Sequence, residues 1–199
     1  MKNSWRGRVK TKRLIKALGM LFLWLFVIGT IVFLSMFLYL QRTLPDPETI
    51  ANRRVGESTK IYDRTGNILL FDVHGTMRRT AVPLDRIAIH VRNATIAIED
   101  AEFYEHNGFR PMAFLRAVLV NLHLMPGYRG QGGSTITQQV VKNTLLTKDK
   151  TLLRKAKEIV LAIKLEKVAS KDRILEIYLN ETSYGGTVYG AEEASQFFF

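Results

Sequence analysis

Among the 199 residues, the densest collection of groups able to move a proton is "EDAEFYEHNG", residues 99 to 108. It sets two adjacent carboxylates, Glu99 and Asp100, beside Phe103, His106 and a closing Gly108. If the stretch is helical, Ile96 and Phe103 lie three and four residues from Glu99 and share its face. An apolar wall makes a glutamate a better proton acceptor near neutrality. Asp100 then points about a hundred degrees away, toward solvent or a structural hydrogen bond. The competing reading is a surface helix ended by a glycine cap.

A second carboxylate of interest is Glu158 in "RKAKE", with Arg154 one turn before it and Lys157 beside it. By itself this is the pattern of a surface ion pair. Lys142, Lys148, Lys150, Arg154 and Lys157 nonetheless gather positive charge within sixteen residues. Such a cluster either grips a diphosphate or forms a solvated face, and composition does not choose. Other chemistries are less accessible. No two of His74, His90, His106 and His123 lie three or four apart, which argues against a histidine zinc site. Ser134 stands in "GGSTIT", unlike a nucleophile elbow. There is no cysteine, so neither disulfides nor thiolates are available.

The elements that must position these groups follow a strongly asymmetric charge distribution. The formal net charge is +11, but residues 1–16 carry seven Lys or Arg and no acid, leaving the rest of the chain at +4. That placement argues against nucleic acid as a partner, and no helix-turn-helix or interleaved aromatic platform occurs. Residues 17–40 form an uncharged run that, as a helix, spans roughly 36 Å, enough for a hydrocarbon core of about 30 Å. The run is longer than a signal-peptide core and lacks a small-residue cleavage site, so it reads as a retained transmembrane helix. The basic tail places the N-terminus in the cytoplasm and the remaining domain on the outer face. Residues 41–58 read as a linker kept extended by Pro45 and Pro47.

Beyond it, "STKIYDRTGNILLFDV" predicts two short strands around residues 64–67. From Asp85 the signal is helical. The first helix runs to Gly108 with a stripe of Ile87, Val91, Ala94, Ile98 and Ala101. A second starts near Pro111 and stops at Pro126-Gly127, and is apolar on more than one face, as in a buried helix or one lying in a membrane surface. A third opens with a capping box of Thr135 and Gln138. A fourth has an apolar side of Leu152, Ala156, Ile159, Ile163 and Leu165. A fifth is capped by Ser170, and a last begins near Ala191. The close at "QFFF" reads as a truncation.

Four motifs together resemble the glycosyltransferase domain of the class A penicillin-binding proteins. E-D-x-x-F-x-x-H-x-G matches residues 99–108, and G-G-S-T-I-T-Q-Q matches 132–139. R-K-x-x-E matches 154–158, and K-x-x-I-L-E-x-Y-L-N matches 171–180. The resemblance covers roughly residues 55–199. It implies a mainly α-helical, lysozyme-like, bilobal fold with one lobe partly immersed in the membrane, preceded here by one transmembrane helix. The domain then occupies residues 59–199, and the greasy 111–125 segment belongs to the immersed lobe.

The resemblance implies an activity as well: polymerisation of lipid-linked disaccharide-peptide (lipid II) into β-1,4 glycan strands, with inversion and release of polyprenyl diphosphate. Glu99 corresponds to the general base and Glu158 to a second essential carboxylate. The latter either orients cations or binds a divalent ion (Mg2+ or Mn2+). No organic cofactor is implied. Asp100, Phe103 and His106 have supporting roles, with packing and loop ordering expected for His106. Ser134, Thr135, Gln138 and Gln139 would line the cleft, while Lys142, Lys150, Arg154 and Lys157 would hold the diphosphate. Gly108, Glu176 and Asn180 are structural. The partners implied are lipid II, the growing glycan strand, the bacterial cytoplasmic membrane and other cell-wall synthesis proteins.

Departures from the family pattern are small. Lys150 replaces a usual arginine and loses its bidentate fork, "LMPGYRG" lengthens a loop, and "ETSYGG" is less aromatic than is common. No S-x-x-K or K-T-G motif of a penicillin-binding serine site occurs in these residues. "YDRTG" resembles the two-domain members, so a C-terminal transpeptidase domain is expected beyond residue 199. The rival functions are a lysozyme-like glycan-cleaving enzyme, which needs no diphosphate grip, and a non-catalytic scaffold of wall assembly.

Overall fold

The computed structural model describes residues 3–52, 56, 58–73, 77–124, 132–146 and 151–199. The chain divides into two compact units, Met1–Leu44 and Pro45–Phe199.

The first unit is a single helix, α1 (Asn3–Thr43). Its Lys16–Leu40 portion is long and apolar enough to cross a membrane. The linker expected to be extended instead contains a short helix, α2 (Glu48–Ala51). Pro47 takes a helical ψ of −15° at the N-cap, and the Asp46 carboxylate accepts from the Glu48 N–H at 3.0 Å, which together start a turn. Ile50 is fully buried there.

In the second unit, β1 (Thr59–Tyr62) and β2 (Leu69–Val73) pair antiparallel, as the turn chemistry predicts. The Asp63 carboxylate organises the turn, accepting from the Thr65 hydroxyl and from the N–H groups of Asn67 and Ile68. Three strands were not legible in the sequence. β3 (Arg78–Arg79) runs parallel to β5 (Val188–Tyr189), which pairs antiparallel with β4 (Ser183–Gly185). Strands of two or three residues are too short to carry a period of two.

The helical core is built from α5 (Ile136–Leu145), α6 (Leu152–Val168) and α7 (Lys171–Glu181). Ile136, Val140 and Val141 of α5 meet Leu161, Ala162 and Leu165 of α6, and α7 adds Ile174, Leu175, Ile177 and Leu179; all are buried. The caps read from the sequence are present. Thr135 and Gln138 form the reciprocal capping box, and the Ser170 hydroxyl accepts from the Arg173 N–H. The apolar side expected for α6 is displaced, however. Leu152 is 92% exposed, while the buried face runs through Glu158, Leu161, Ala162 and Leu165. A carboxylate in the buried stripe is what misdirects a reading by hydrophobic period.

The helix expected over residues 85–108 breaks into three pieces. Residues 84–86 form a 3-10 turn, α3 covers Ile89–Glu99, and residues 100–108 are turns. Of the predicted stripe only Ile87 is buried; Val91, Ala94, Ile98 and Ala101 are exposed. α4 (Pro111–Asn121) begins at its proline but ends before Pro126-Gly127, with His123 in the left-handed region at φ 58°. It is not a buried core helix, because Met112 and Leu115 are 77% and 50% exposed. α8 (Ala191–Phe198) closes the chain.

Candidate functional site

Glu99 is the last residue of α3, and Asp100 leaves the helix at φ −160°, ψ 74°. The two neighbouring carboxylates therefore diverge. Asp100 turns inward and is fully buried. Its Oδ2 accepts from His106 Nε2 at 2.8 Å and from the Ile136 N–H at 3.0 Å, and Arg110 lies 3.4 Å from Oδ1. Of the two environments expected for Asp100, it takes the structural hydrogen bond. His106 orders the turn, since its Nδ1 accepts from the Gly108 N–H at 3.0 Å, which puts the ring proton on Nε2 facing Asp100.

Glu99 faces outward and has no aromatic wall of its own helix. Because α3 ends at Glu99, Phe103 is carried away into the core, where it is fully buried. There Lys171 Nζ sits 4.6 Å from its ring centre. In place of a wall, Gln139 Nε2 donates to Glu99 Oε2 at 2.7 Å. The Tyr178 phenol is also nearby. Burial first, and the negative charge of Glu99 second, push it above the usual 10, so it stays a neutral hydroxyl beside the carboxylate.

The far end of α3 is reached through α7. Asn180 bridges both backbone groups of Val82, and Glu176 Oε2 accepts from the Leu84 N–H at 3.0 Å. These contacts fix the chain just before α3. Gly108 has φ 82°, and a Cβ there would stand 2.8 Å from the Ala162 backbone, so only glycine lets the turn lie against α6.

The second carboxylate is enclosed. Glu158 is 1% exposed on α6, with Arg154 NH1 3.0 Å from Oε2 and Lys155 Nζ on Oε1. Lys155 also donates to Ser134 Oγ at 2.7 Å and to Gln138 Oε1 at 3.3 Å. Thr135 and Gln138 are buried, whereas Ser134 and Gln139 are half-buried. The neighbouring glutamines thus turn to different centres, Gln139 to Glu99 and Gln138 to Lys155.

Glu99, at the end of α3, and Glu158, within α6, are thus held by separate sets of partners. Residues 67–199 match the family described as Transglycosylase. The chain belongs to that family. It is 41% identical over 172 residues to penicillin-binding protein 1A of Aquifex aeolicus, covering 86% of this chain and 23% of that protein. It is 40% identical over 165 residues to penicillin-binding protein 1A of Escherichia coli, covering 83% and 19%. Against penicillin-binding protein 1A/1B of Bacillus subtilis it is 46% identical over 142 residues, covering 71% and 15%. The chain therefore spans less than a quarter of the length of these relatives. Family membership makes this a glycosyl-transferring domain with a mostly helical, lysozyme-like fold, preceded by a long apolar helix suited to a membrane anchor.

Within the transglycosylase domain, Lys155 is the residue that sequence reasoning passed over. It occupies the lysine of the R-K-x-x-E motif and lies three residues before Glu158, a spacing that puts both on one helix face. Lys157 is adjacent to Glu158 in sequence, hence about a hundred degrees round the helix. Among the described residues it makes none of the Lys155 contacts. Lys142 is exposed on α5, one turn past Gln139, and Lys150 lies outside the described residues. A cleft of about 490 Å³ runs between the 102–110 turn and α4, but Glu99 is not among its lining residues. The hydrogen-bonded groups define the candidate site better than that hollow does.

At Glu158 a divalent cation would compete with positive groups that the protein itself supplies. Both carboxylate oxygens already face a guanidinium or an ammonium. Among the described residues no group of three or more His, Asp or Glu converges for a metal. A cation at Glu158 would have to displace Arg154 or Lys155 without a second carboxylate to compensate.

Proposed function

We propose that the domain is a peptidoglycan glycosyltransferase that joins lipid-linked disaccharide-peptide units into β-1,4 glycan strands. Glu99 is the general base. It takes the proton from the 4-hydroxyl of the acceptor N-acetylglucosamine as that oxygen attacks the anomeric carbon of the N-acetylmuramic acid ending the growing strand. The polyprenyl diphosphate leaves from the opposite face, so the configuration inverts. The observation that carries this reading is the outward-facing Glu99 carboxylate held by Gln139, in a chain of the transglycosylase family.

A diphosphate departs without a strong acid but needs positive charge where its own charge develops. Arg154 and Lys155 supply it, and Glu158 keeps both aligned without itself meeting the substrate. Lys142 adds charge on the Gln139 face of α5, while Lys150 and Lys157 extend the positive field. The Lys16–Leu40 span anchors the chain with its basic tail in the cytoplasm and the domain outside. The exposed apolar residues of α4 then dip into the bilayer, where the lipid-linked substrate resides. Lipid II, the glycan strand and other wall-synthesis proteins are the partners, and the whole protein carries a transpeptidase domain as well.

The test is polymerisation of labelled lipid-linked disaccharide-pentapeptide by detergent-solubilised protein, beside Glu99→Gln. Polymer from the native protein alone supports the base assignment. Equal polymer from Glu99→Gln removes it, and no polymer from either folded protein removes the polymerase.

A further inference from the structure

Resting on that reading of Glu99, we infer that Gln139 is a positioning residue that holds the base, rather than a contact for the sugar. Four hydrogen bonds argue for it. Gln139 Nε2 donates to Glu99 Oε2 at 2.7 Å. The backbone N–H of Gln139 is fixed on the Thr135 carbonyl at 3.0 Å, in the first turn of α5. That turn is tied in place by Asp100, whose Oδ2 accepts from Ile136 N–H at 3.0 Å, and by the Thr135 hydroxyl on the Gly108 carbonyl at 2.9 Å.

These links close a ring. It runs from Glu99 through the peptide to Asp100, across to Ile136, along one turn of α5 to Gln139, and back to the Glu99 carboxylate. The adjacent carboxylates thus grip the same helix turn, one by its backbone and one by a side chain. A glutamate at an exposed helix end otherwise samples several rotamers, and proton transfer requires one of them.

The hold is also selective between the two oxygens. Gln139 occupies Oε2, and among the described residues no donor meets Oε1, the oxygen left to accept a proton. A glutamine amide serves here because it donates without carrying a proton that could be lost. Of the described titratable groups on the elements packed here, the Tyr178 phenol of α7 is the one that senses the Glu99 charge.

The experiment compares Gln139→Met, which keeps length but lacks a donor, with the native chain and Glu99→Gln, using the lipid-linked disaccharide-pentapeptide in detergent. Loss of positioning lowers kcat about tenfold to a hundredfold and leaves KM within about twofold. In a Glu99→Gln background, Gln139→Met leaves substrate affinity within the same twofold. A raised KM with native kcat, or a comparable loss of affinity in that background, identifies a substrate contact and overturns the inference. Unchanged kcat and KM overturn it equally. Gln139→Leu, which also lacks the donor and adds no charge beside Glu99, replaces Gln139→Met if the latter melts early. The two claims separate cleanly: turnover by Glu99→Gln defeats the base assignment, whereas a dead Glu99→Gln beside fully active Gln139 variants defeats only the positioning.

Discussion

Asn180 closes on both polar groups of the Val82 backbone, its Oδ1 accepting from the N–H at 2.9 Å and its Nδ2 donating to the carbonyl at 2.8 Å. The same amide reaches the Glu176 carbonyl at 2.9 Å, and the Glu176 side chain takes the Leu84 N–H. A buried side chain of α7 therefore substitutes for a β-ladder partner and sets where α3 begins. The position of Glu99 depends on it from eighty-one residues away.

Asn180→Ala leaves the half-buried N–H and carbonyl of Val82 without their side-chain partners. The expected cost is about 1–2 kcal/mol, the net worth of two such hydrogen bonds. Thermal unfolding measures it, and a melting temperature within a degree of native would show that the bridge does not stabilise the fold. Polymerisation should fall more steeply than stability, because the approach to α3 is loosened.

Glu158→Gln keeps the volume but removes the charge shared by Arg154 and Lys155. Unpairing buried charge costs about 3 kcal/mol at the low end, and both cations keep some solvent access. Activity is expected to drop at least about a hundredfold, the scale of losing transition-state charge stabilisation. Retained turnover in a stably folded Glu158→Gln would mean that the cations need no carboxylate to align them.

Gly108→Ala and Gly66→Ala form a matched pair. Both glycines have positive φ, 82° and 75°, but a Cβ at Gly66 meets open space whereas one at Gly108 strikes the Ala162 backbone. Gly66→Ala should cost about 1 kcal/mol for the left-handed backbone alone. Gly108→Ala should cost clearly more and reduce activity, since the turn bearing His106 must move off α6. Equal denaturation midpoints for the two variants would refute the close-approach argument.

The β1–β2 turn should respond to acid. Thr65 hydroxyl donation first, and the Ile68 and Asn67 N–H groups with it, hold the Asp63 carboxyl below its ordinary 3.8. A carboxylate whose pKa is lowered on folding stabilises the fold above its unfolded value, and that stability is lost as pH falls through the folded value. Amide exchange at Ile68 should thus be slow near neutral pH and accelerate, after correction for intrinsic rates, only below about pH 4. Asp63→Asn should abolish that pH dependence; if exchange in the native chain ignores pH over that range, the turn is held by something else.

What could be read ahead of the structure was local. Caps at Thr135 and Ser170, the start at Pro111 and the strand turn at residues 64–67 each depend on residues within one turn of chain, and all are found. The end of α3 could not be read in this way. Asp100 leaves the helix to satisfy the Ile136 N–H thirty-six residues on, a partner that no period reveals. The α6 stripe failed for a related reason, because Glu158 is buried by virtue of cations on its own helix. Lys155 was concealed by the nearby Lys157, although the three-residue spacing to Glu158 distinguished them.

Helix α3 has no buried residue, although it carries the outward carboxylate at its tip. It is a beam resting on two supports, with Asn180 and Glu176 under one end and Gln139 with Asp100 at the other. Hydrophobic packing does not specify its middle, so evolution can rewrite residues 90–98 with little penalty inside the domain. The exposed Val91 and Ile98 are then free to be tuned to whatever surface the domain rests on. The same freedom does not extend to the supports, where a single amide sets the alignment. A comprehensive substitution scan should therefore trace a permissive stretch bounded by two intolerant ends.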